Sequence, residues 1–249
     1  MNNRRTFIKS SVLALGATAL GNYDAKAETQ ANIKNKLEIK QNDIILFQGD
    51  SITDNGRNRE NQLPNDTQAL GQGYAMLAAS AMLNKYAEKN IKIYNRGISG
   101  HKVPQLQDRW QADCIDLAPS ILSILIGVND YWHKRDGNYT GSAQLYKEQY
   151  QKLLDNTLEK LPQVKLIIAE PFAVKEVKHV DNSWFPEFAM YQQAARDIAK
   201  EYKALLVPYQ DIFDKACKRA PGGYWTTDGV HTTPAGADLM AANWLNCFK

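Results

Sequence analysis

The stretch Ile44-Ile45-Leu46-Phe47-Gln48-Gly49-Asp50-Ser51-Ile52 decides how the chain is read. Four consecutive apolar residues, too few for a buried helix, end in a glycine and two small polar residues. That is the pattern of a strand covered on both faces, followed by a tight turn into a helix. Four further runs share the pattern. With this one, read as Asp43–Gln48, the chain offers strands at Ile91–Asn95, Ile121–Ile126, Val164–Ala169 and Ala204–Val207.

Helical spacing fills the intervals. Helices are expected over Gly73–Lys89, Val103–Asp116, Ser142–Leu161 and Pro186–Tyr202, and a last one opens at the first-turn proline Pro234 and runs through Phe248. Strands alternating with helices predict a parallel sheet with right-handed crossovers. The expected fold class is α/β: a three-layer α/β/α sandwich around a flavodoxin-like parallel sheet of about five strands. Three long loops, Thr53–Gln72, Val128–Gly141 and Glu170–Phe185, each follow the carboxyl end of a strand. Open α/β sheets place their ligand crevice there.

The first 27 residues read differently. Arg4-Arg5 precedes a small-residue apolar stretch, Ser11 to Leu20, and Ala25-Lys26-Ala27 offers a cleavage site. Together they read as a twin-arginine export signal, leaving residues 28–249 as one domain. The apolar run is too short to span a bilayer, so no stable membrane anchor is expected, and the exported protein is expected in the periplasm or secreted. Removing residues 1–27 takes away four basic residues and one acidic one, and the net charge of +3 falls to zero. Such a balance gives no reason to expect nucleic acid as a partner. Three cysteines, Cys114, Cys217 and Cys247, make no disulfide framework and contain no C-x-x-C pair; a Cys217–Cys247 bridge stays open. Oligomeric state stays open too, a homo-oligomer included.

The chemistry-bearing residues gather at strand ends. A serine hydroxyl attacks a carbonyl only when a histidine takes its proton and a carboxylate orients that histidine. Ser51 follows the first strand, and Asp228-Gly229-Val230-His231 precedes the last helix. Taken alone, Asp50 or Ser51 could simply cap a helix, and Asp228 with His231 could be half a metal site or a solvated turn. No H-E-x-x-H occurs, only His101, His133 and His179 remain as further histidine ligands, and the G-x-S-x-G elbow is missing. Asn95-Arg96-Gly97-Ile98-Ser99-Gly100 follows the second strand and Gly127-Val128-Asn129-Asp130 the third. The amides of Ser51 and Gly100 and the side chain of Asn129 could supply the fixed donors an oxyanion needs.

These four blocks, in this order, resemble the SGNH hydrolases of the GDSL esterase family. The likeness is closer still to GDSL-type acetylxylan esterases in Phe47 to Arg57, Ala69 to Tyr74, Gly97 to Gly100 and Ile126 to Trp132. It implies an SGNH hydrolase fold with Ser51 as nucleophile, His231 as general base and acid, and Asp228 orienting His231. It also implies an oxyanion hole of Ser51, Gly100 and Asn129, without cofactor or metal. The implied reaction is removal of O-acetyl groups from carbohydrate, such as acetylated xylan. A lipase, thioesterase or arylesterase of the same family, or a non-catalytic glycan-binding homologue, remain the alternatives. Asp50, Trp132 and Trp225 are candidates for touching substrate. Flat indoles suit sugar rings, although Trp132, Trp184 and Trp225 could equally plug the core beneath their loops. Arg57, Arg59 and His101 are weaker candidates, since charged loop residues are more often only solvated.

Overall fold

The computed structural model describes residues 36–249; the export signal expected over residues 1–27 lies outside them. Five strands form: β1 (Ile44–Gly49), β2 (Lys92–Asn95), β3 (Ile121–Leu125), β4 (Lys165–Ala169) and β5 (Leu205–Val207). All pair in parallel in the order β2-β1-β3-β4-β5, with Ile45 opposite both Ile93 and Ile121, and Ile168 opposite Ile124 and Leu206. β3 is buried along its whole length, as a central strand covered on both faces must be.

Ten helices accompany the sheet among the described residues. They are α1 (Ser51–Asp54), α2 (Thr67–Leu70), α3 (Tyr74–Lys85), α4 (Val103–Trp110), α5 (Val128–Arg135), α6 (Ala143–Lys160), α7 (Glu187–Glu201), α8 (Tyr209–Ala216), α9 (Gly222–Trp225) and α10 (Pro234–Leu245). The connection β1-α3-β2 runs one way along the sheet, whereas β2-α4-β3, β3-α6-β4 and β4-α7-β5 run the other. Right-handed crossovers in opposite directions put their helices on opposite faces. Accordingly α3 packs with α10, and α6 packs with both α4 and α7. The result is a three-layer α/β/α sandwich.

Each face has its own aromatic filling. Trp244 of α10 lies against Phe47 of β1 at 4.6 Å between ring centroids, and its indole N–H donates to the Ser123 hydroxyl of β3 at 2.9 Å. On the other face the Trp110 indole donates to Thr157 Oγ1, tying α4 to α6 at 2.8 Å. At the edge of the sheet Glu170, fully buried after β4, is held by Arg196 Nε at 2.6 Å and by the Gln210 amide.

Several elements differ from the sequence expectation. The helix expected over Gly73–Lys89 stops at Lys85 and ends in a 3-10 turn, Ala87–Lys89. The one expected to Asp116 loosens after Trp110 into a π turn, Gln111–Ile115. Val128–Gly141, read as a loop, begins with α5; its run of Asn, Asp, His, Lys and Arg hides the buried positions Val128 and Tyr131. Helix α8 escaped notice although Tyr209, Phe213 and Ala216 give it a buried stripe at helical spacing. Cys217 carries a free thiol, so the bridge to Cys247 does not form.

Trp244→Ala removes both the Phe47 contact and the bond to Ser123. It should cost roughly 3–5 kcal/mol of stability, measurable as a lower urea midpoint, and a change below about 1 kcal/mol would contradict this packing role.

Candidate active site

The site begins with a close approach. A Cβ on Gly49 would lie 2.3 Å from the Leu125 carbonyl and 2.5 Å from Thr53 Oγ1, so only glycine lets the end of β1 pass between β3 and α1. The chain then turns at Asp50, whose carboxylate accepts the Ile52 amide at 3.0 Å and caps α1. Ser51 therefore opens a helix at the carboxyl edge of the sheet. Its N–H is one of the first-turn amides with no intrahelical partner.

Ser51 Oγ lies 2.7 Å from His231 Nε2, and His231 Nδ1 lies 2.7 Å from Asp228 Oδ2. An ionised carboxylate only accepts, so Nδ1 carries the proton and Nε2 is left to accept from the serine hydroxyl. Asp228 Oδ1 also accepts the amides of Val230 and His231, at 2.9 and 2.8 Å. Burial alone would raise the Asp228 pKa, but the His231 ring and these two amides outweigh it and hold the carboxyl below its ordinary value. The turn is closed by Thr227 N–H donating to the His231 carbonyl, and Gly229, at φ +96°, takes the backbone where a side chain would strike Val180. The Glu170–Phe185 loop supports it from outside through His179 N–H to the Asp228 carbonyl and Val174 N–H to the Gly229 carbonyl.

Two further segments complete the constellation. Gly100 takes the left-handed backbone at φ +82°, with open space where a Cβ would stand. Asn129 opens α5 nearly buried, and its Nδ2 donates to the His101 carbonyl at 3.2 Å, which fixes the amide and leaves its second hydrogen available. Ser51 and Asn129 follow β1 and β3. These neighbouring strands flank the point where the chain reverses its direction along the sheet.

Much of the support was not read from the sequence. Asp54 Oδ2 accepts both the amide and the hydroxyl of Ser99, at 2.9 and 2.8 Å, and pairs with Arg59. Asn95 Nδ2 donates to the Thr53 and Leu70 carbonyls while its Oδ1 accepts the Gly97 amide. Arg109 reaches the Arg96 carbonyl at 2.7 Å and Asp113 at 2.7 Å. These groups hold the segment carrying Gly100 against α1.

The suggested substrate contacts sort themselves. Trp132 sits on α5, partly exposed, with its ring 6.5 Å from the His231 ring and 5.4 Å from Trp184. Trp184 is core, wholly buried, its N–H given to the His179 carbonyl. Asp50 is not a substrate contact: it has no exposed surface and works from below as a cap. Trp225 is buried on α9, donates to the Ala220 carbonyl and borders a separate surface pocket. Arg57, expected in a solvated loop, is buried with Nε on the Gly97 carbonyl at 2.8 Å, and burial pushes its pKa down to about 10. Arg59 is spent on Asp54, and His101 Nδ1 accepts from Arg109 Nε at 3.3 Å. Among the described residues no group of three or more His, Cys, Asp or Glu side chains is placed to hold a metal ion, and no helix is long and apolar enough to cross a membrane.

Residues 47–239 match the model of the GDSL-like lipase/acylhydrolase family, and the chain belongs to that family. It is 32% identical over 211 residues to an acetylxylan esterase of Geobacillus stearothermophilus, covering 84% of this chain and 95% of that one. Its structure is similar to that of a protein described as a GDSL-like lipase from Parabacteroides merdae, at 43% identity and TM-score 0.83, over 85% of this chain and 98% of the other. The crystal structure of the Geobacillus acetylxylan esterase superimposes at TM-score 0.75 and 29% identity, over 85% and 96%. Three catalytic mutants of that enzyme replace a serine, an aspartate and a histidine, the last two three positions apart. The protein is a carboxylic ester hydrolase with an SGNH hydrolase fold.

Asp50, the cap of α1, and Asp130, in the first turn of α5, lie fully buried beside Ser51 and Asn129. Burial pushes both carboxyls up to about 7, and one oxygen of each has no hydrogen-bond partner to favour its charged form. The folded chain thus keeps protons that the unfolded chain releases near pH 3.8. Their stabilisation is complete below that value and is lost as pH rises through about 7. The thermal midpoint should fall between about pH 4 and pH 7, and Asp130→Asn, which keeps an acceptor for the Val103 amide, should flatten the fall. An unchanged slope in the variant would contradict a protonated Asp130.

Proposed function

We propose that the protein removes O-acetyl groups from carbohydrate, acetylated xylan or a related polysaccharide or oligosaccharide, through an acyl-enzyme on Ser51. The observation that carries this reading is the unbroken chain of hydrogen bonds from Ser51 Oγ through His231 to Asp228, each at 2.7 Å. His231 Nε2 accepts the serine proton as Oγ bonds to the ester carbonyl carbon. The carbonyl oxygen takes the negative charge, facing the N–H groups of Ser51 and Gly100 and the Asn129 amide. As the tetrahedral centre collapses, His231 returns the proton to the departing sugar oxygen. Water then enters by the same route, its proton taken by Nε2, and acetate leaves Ser51.

Asp228 keeps the ring in the tautomer that accepts at Nε2 and stabilises the imidazolium that forms. Its lowered pKa keeps it ionised across the working range of such a base. The carbohydrate assignment draws on two supports: the acetylxylan esterase relative, and the partly exposed Trp132 indole beside His231, a flat apolar surface on which a sugar ring can rest. The leader motif at Arg4-Arg5 adds the periplasm as the place of action.

Acetate release from acetylated xylan, acetylated pectin and a chromogenic acetyl ester is the test. Ser51→Ala should lose at least about 10⁴-fold in kcat, Asp228→Asn about 10³- to 10⁴-fold and Asn129→Ala about 10²- to 10³-fold. Turnover retained by Ser51→Ala would overturn the nucleophile. Trp132→Ala should raise KM for an acetylated oligosaccharide several-fold and leave that for the chromogenic ester nearly unchanged. Preference for long acyl chains over acetyl would move the protein to the lipases of its family.

A further inference from the structure

A pocket of about 380 Å³ opens on the surface between the end of α8, the short helix α9 and the first turns of α10. It is lined by Arg219, Ala220, Tyr224, Trp225, Ala235 and Asp238, none of which belongs to the triad or to the oxyanion donors. Its volume falls within the range of small-ligand sites. Its walls are also fixed before any ligand arrives. Thr233 Oγ1 donates to the Tyr224 carbonyl at 2.7 Å, and Thr233 N–H donates to the Trp225 carbonyl at 3.0 Å. A Cβ on Gly236 would stand 2.0 Å from that same carbonyl, so α10 packs directly on the pocket floor.

The lining has a definite chemistry. Tyr224 is 58% exposed, a large aromatic face left to solvent, and its ring meets Trp225 edge-on at 5.0 Å. The Arg219 guanidinium rests 5.4 Å from the Trp225 ring, which orients its donors without consuming them. Asp238 supplies acceptors from α10. Neither Arg219 nor Asp238 forms an ion pair with another described residue. One cation and one anion leave the lining without net charge, which suits neither a phosphate nor an amine. One exposed aromatic ring in a mostly polar lining, flanked by one set of donors and one of acceptors, fits a neutral pyranose: the sugar's C–H face lies on the ring, and each hydroxyl both donates and accepts.

We propose that this pocket is a second carbohydrate-binding site, holding unesterified units of a neutral sugar chain through Tyr224, Arg219 and Asp238. The proposal rests on the carbohydrate reading of the active site for its choice of ligand, though not for its geometry. The pocket joins the triad loop covalently: Trp225 stands three residues before Asp228, and Thr233 two after His231. A polysaccharide gripped here is held beside the loop that carries out the chemistry, which raises the local concentration of its acetylated units.

The test uses the full chain carrying Ser51→Ala, titrated calorimetrically with unacetylated xylohexaose. Tyr224→Ala and Arg219→Ala, both at exposed positions, should each weaken binding about tenfold, with thermal midpoints unchanged. On the Ser51 protein the same two changes should raise KM for acetylated xylan several-fold, leaving kcat and the turnover of a chromogenic acetyl ester intact. No binding of xylohexaose, unaltered binding in both variants, or parallel loss of chromogenic turnover would each overturn the second site. Failure of the unaltered protein to release acetate from acetylated xylan would instead sink the substrate reading, and the titration would still decide the pocket.

Discussion

Everything in the site hangs on how closely the end of β1 passes β3. With 2.3 Å between a would-be Gly49 Cβ and the Leu125 carbonyl, the peptide before Asp50 has one path, and that path delivers Ser51 to the sheet edge with its amide unpaired. The same approach brings Gly49 O within reach of Ile98 N–H at 3.1 Å, so the Gly100 segment takes its position from the strand that positions the serine. Ser51 and the Gly100 segment are thus registered on one another through backbone. The histidine comes separately, on a turn whose geometry Asp228 sets by accepting from two amides and a ring at once.

The electrostatics beneath the site follow from burial. Asp50 and Asp130 flank Ser51 and Asn129 in sequence, and ionised carboxylates there would oppose a developing oxyanion. Removal from solvent holds them toward the neutral form, whereas Asp228 and Asp54 have enough donors to stay charged. Four aspartates within one region therefore divide into two pairs, and the number of hydrogen bonds each receives decides which pair it joins.

The strands were legible because parallel strands buried on both faces leave continuous Ile, Leu and Val runs, and the catalytic blocks because strand-end turns force Gly, Asp, Ser and Asn into short fixed patterns. Legibility failed where the deciding partner is distant in sequence. Nothing local marks Asn95 as the residue that ties Thr53 to Leu70, or Arg57 as a buried donor to Gly97. Helix α5 is masked by its polar residues: Asn129, Asp130 and His133 make it look like a polar loop, while Val128 and Tyr131 are its buried apolar anchors. Trp132 and Trp184 are the sharpest case. Both read as loop indoles, and only packing shows that one is a floor and the other stands on it.

That pair has an evolutionary consequence. Trp184 is held through the His179 carbonyl, and the His179 amide holds the Asp228 carbonyl. One residue, His179, therefore couples the shelf on which Trp132 rests to the turn that carries His231. A lineage that remodels this loop to admit a bulkier substrate disturbs the placement of His231 in the same step. New specificities should arise more readily by changing Trp132 itself, on its helix, than by reshaping the loop beneath it.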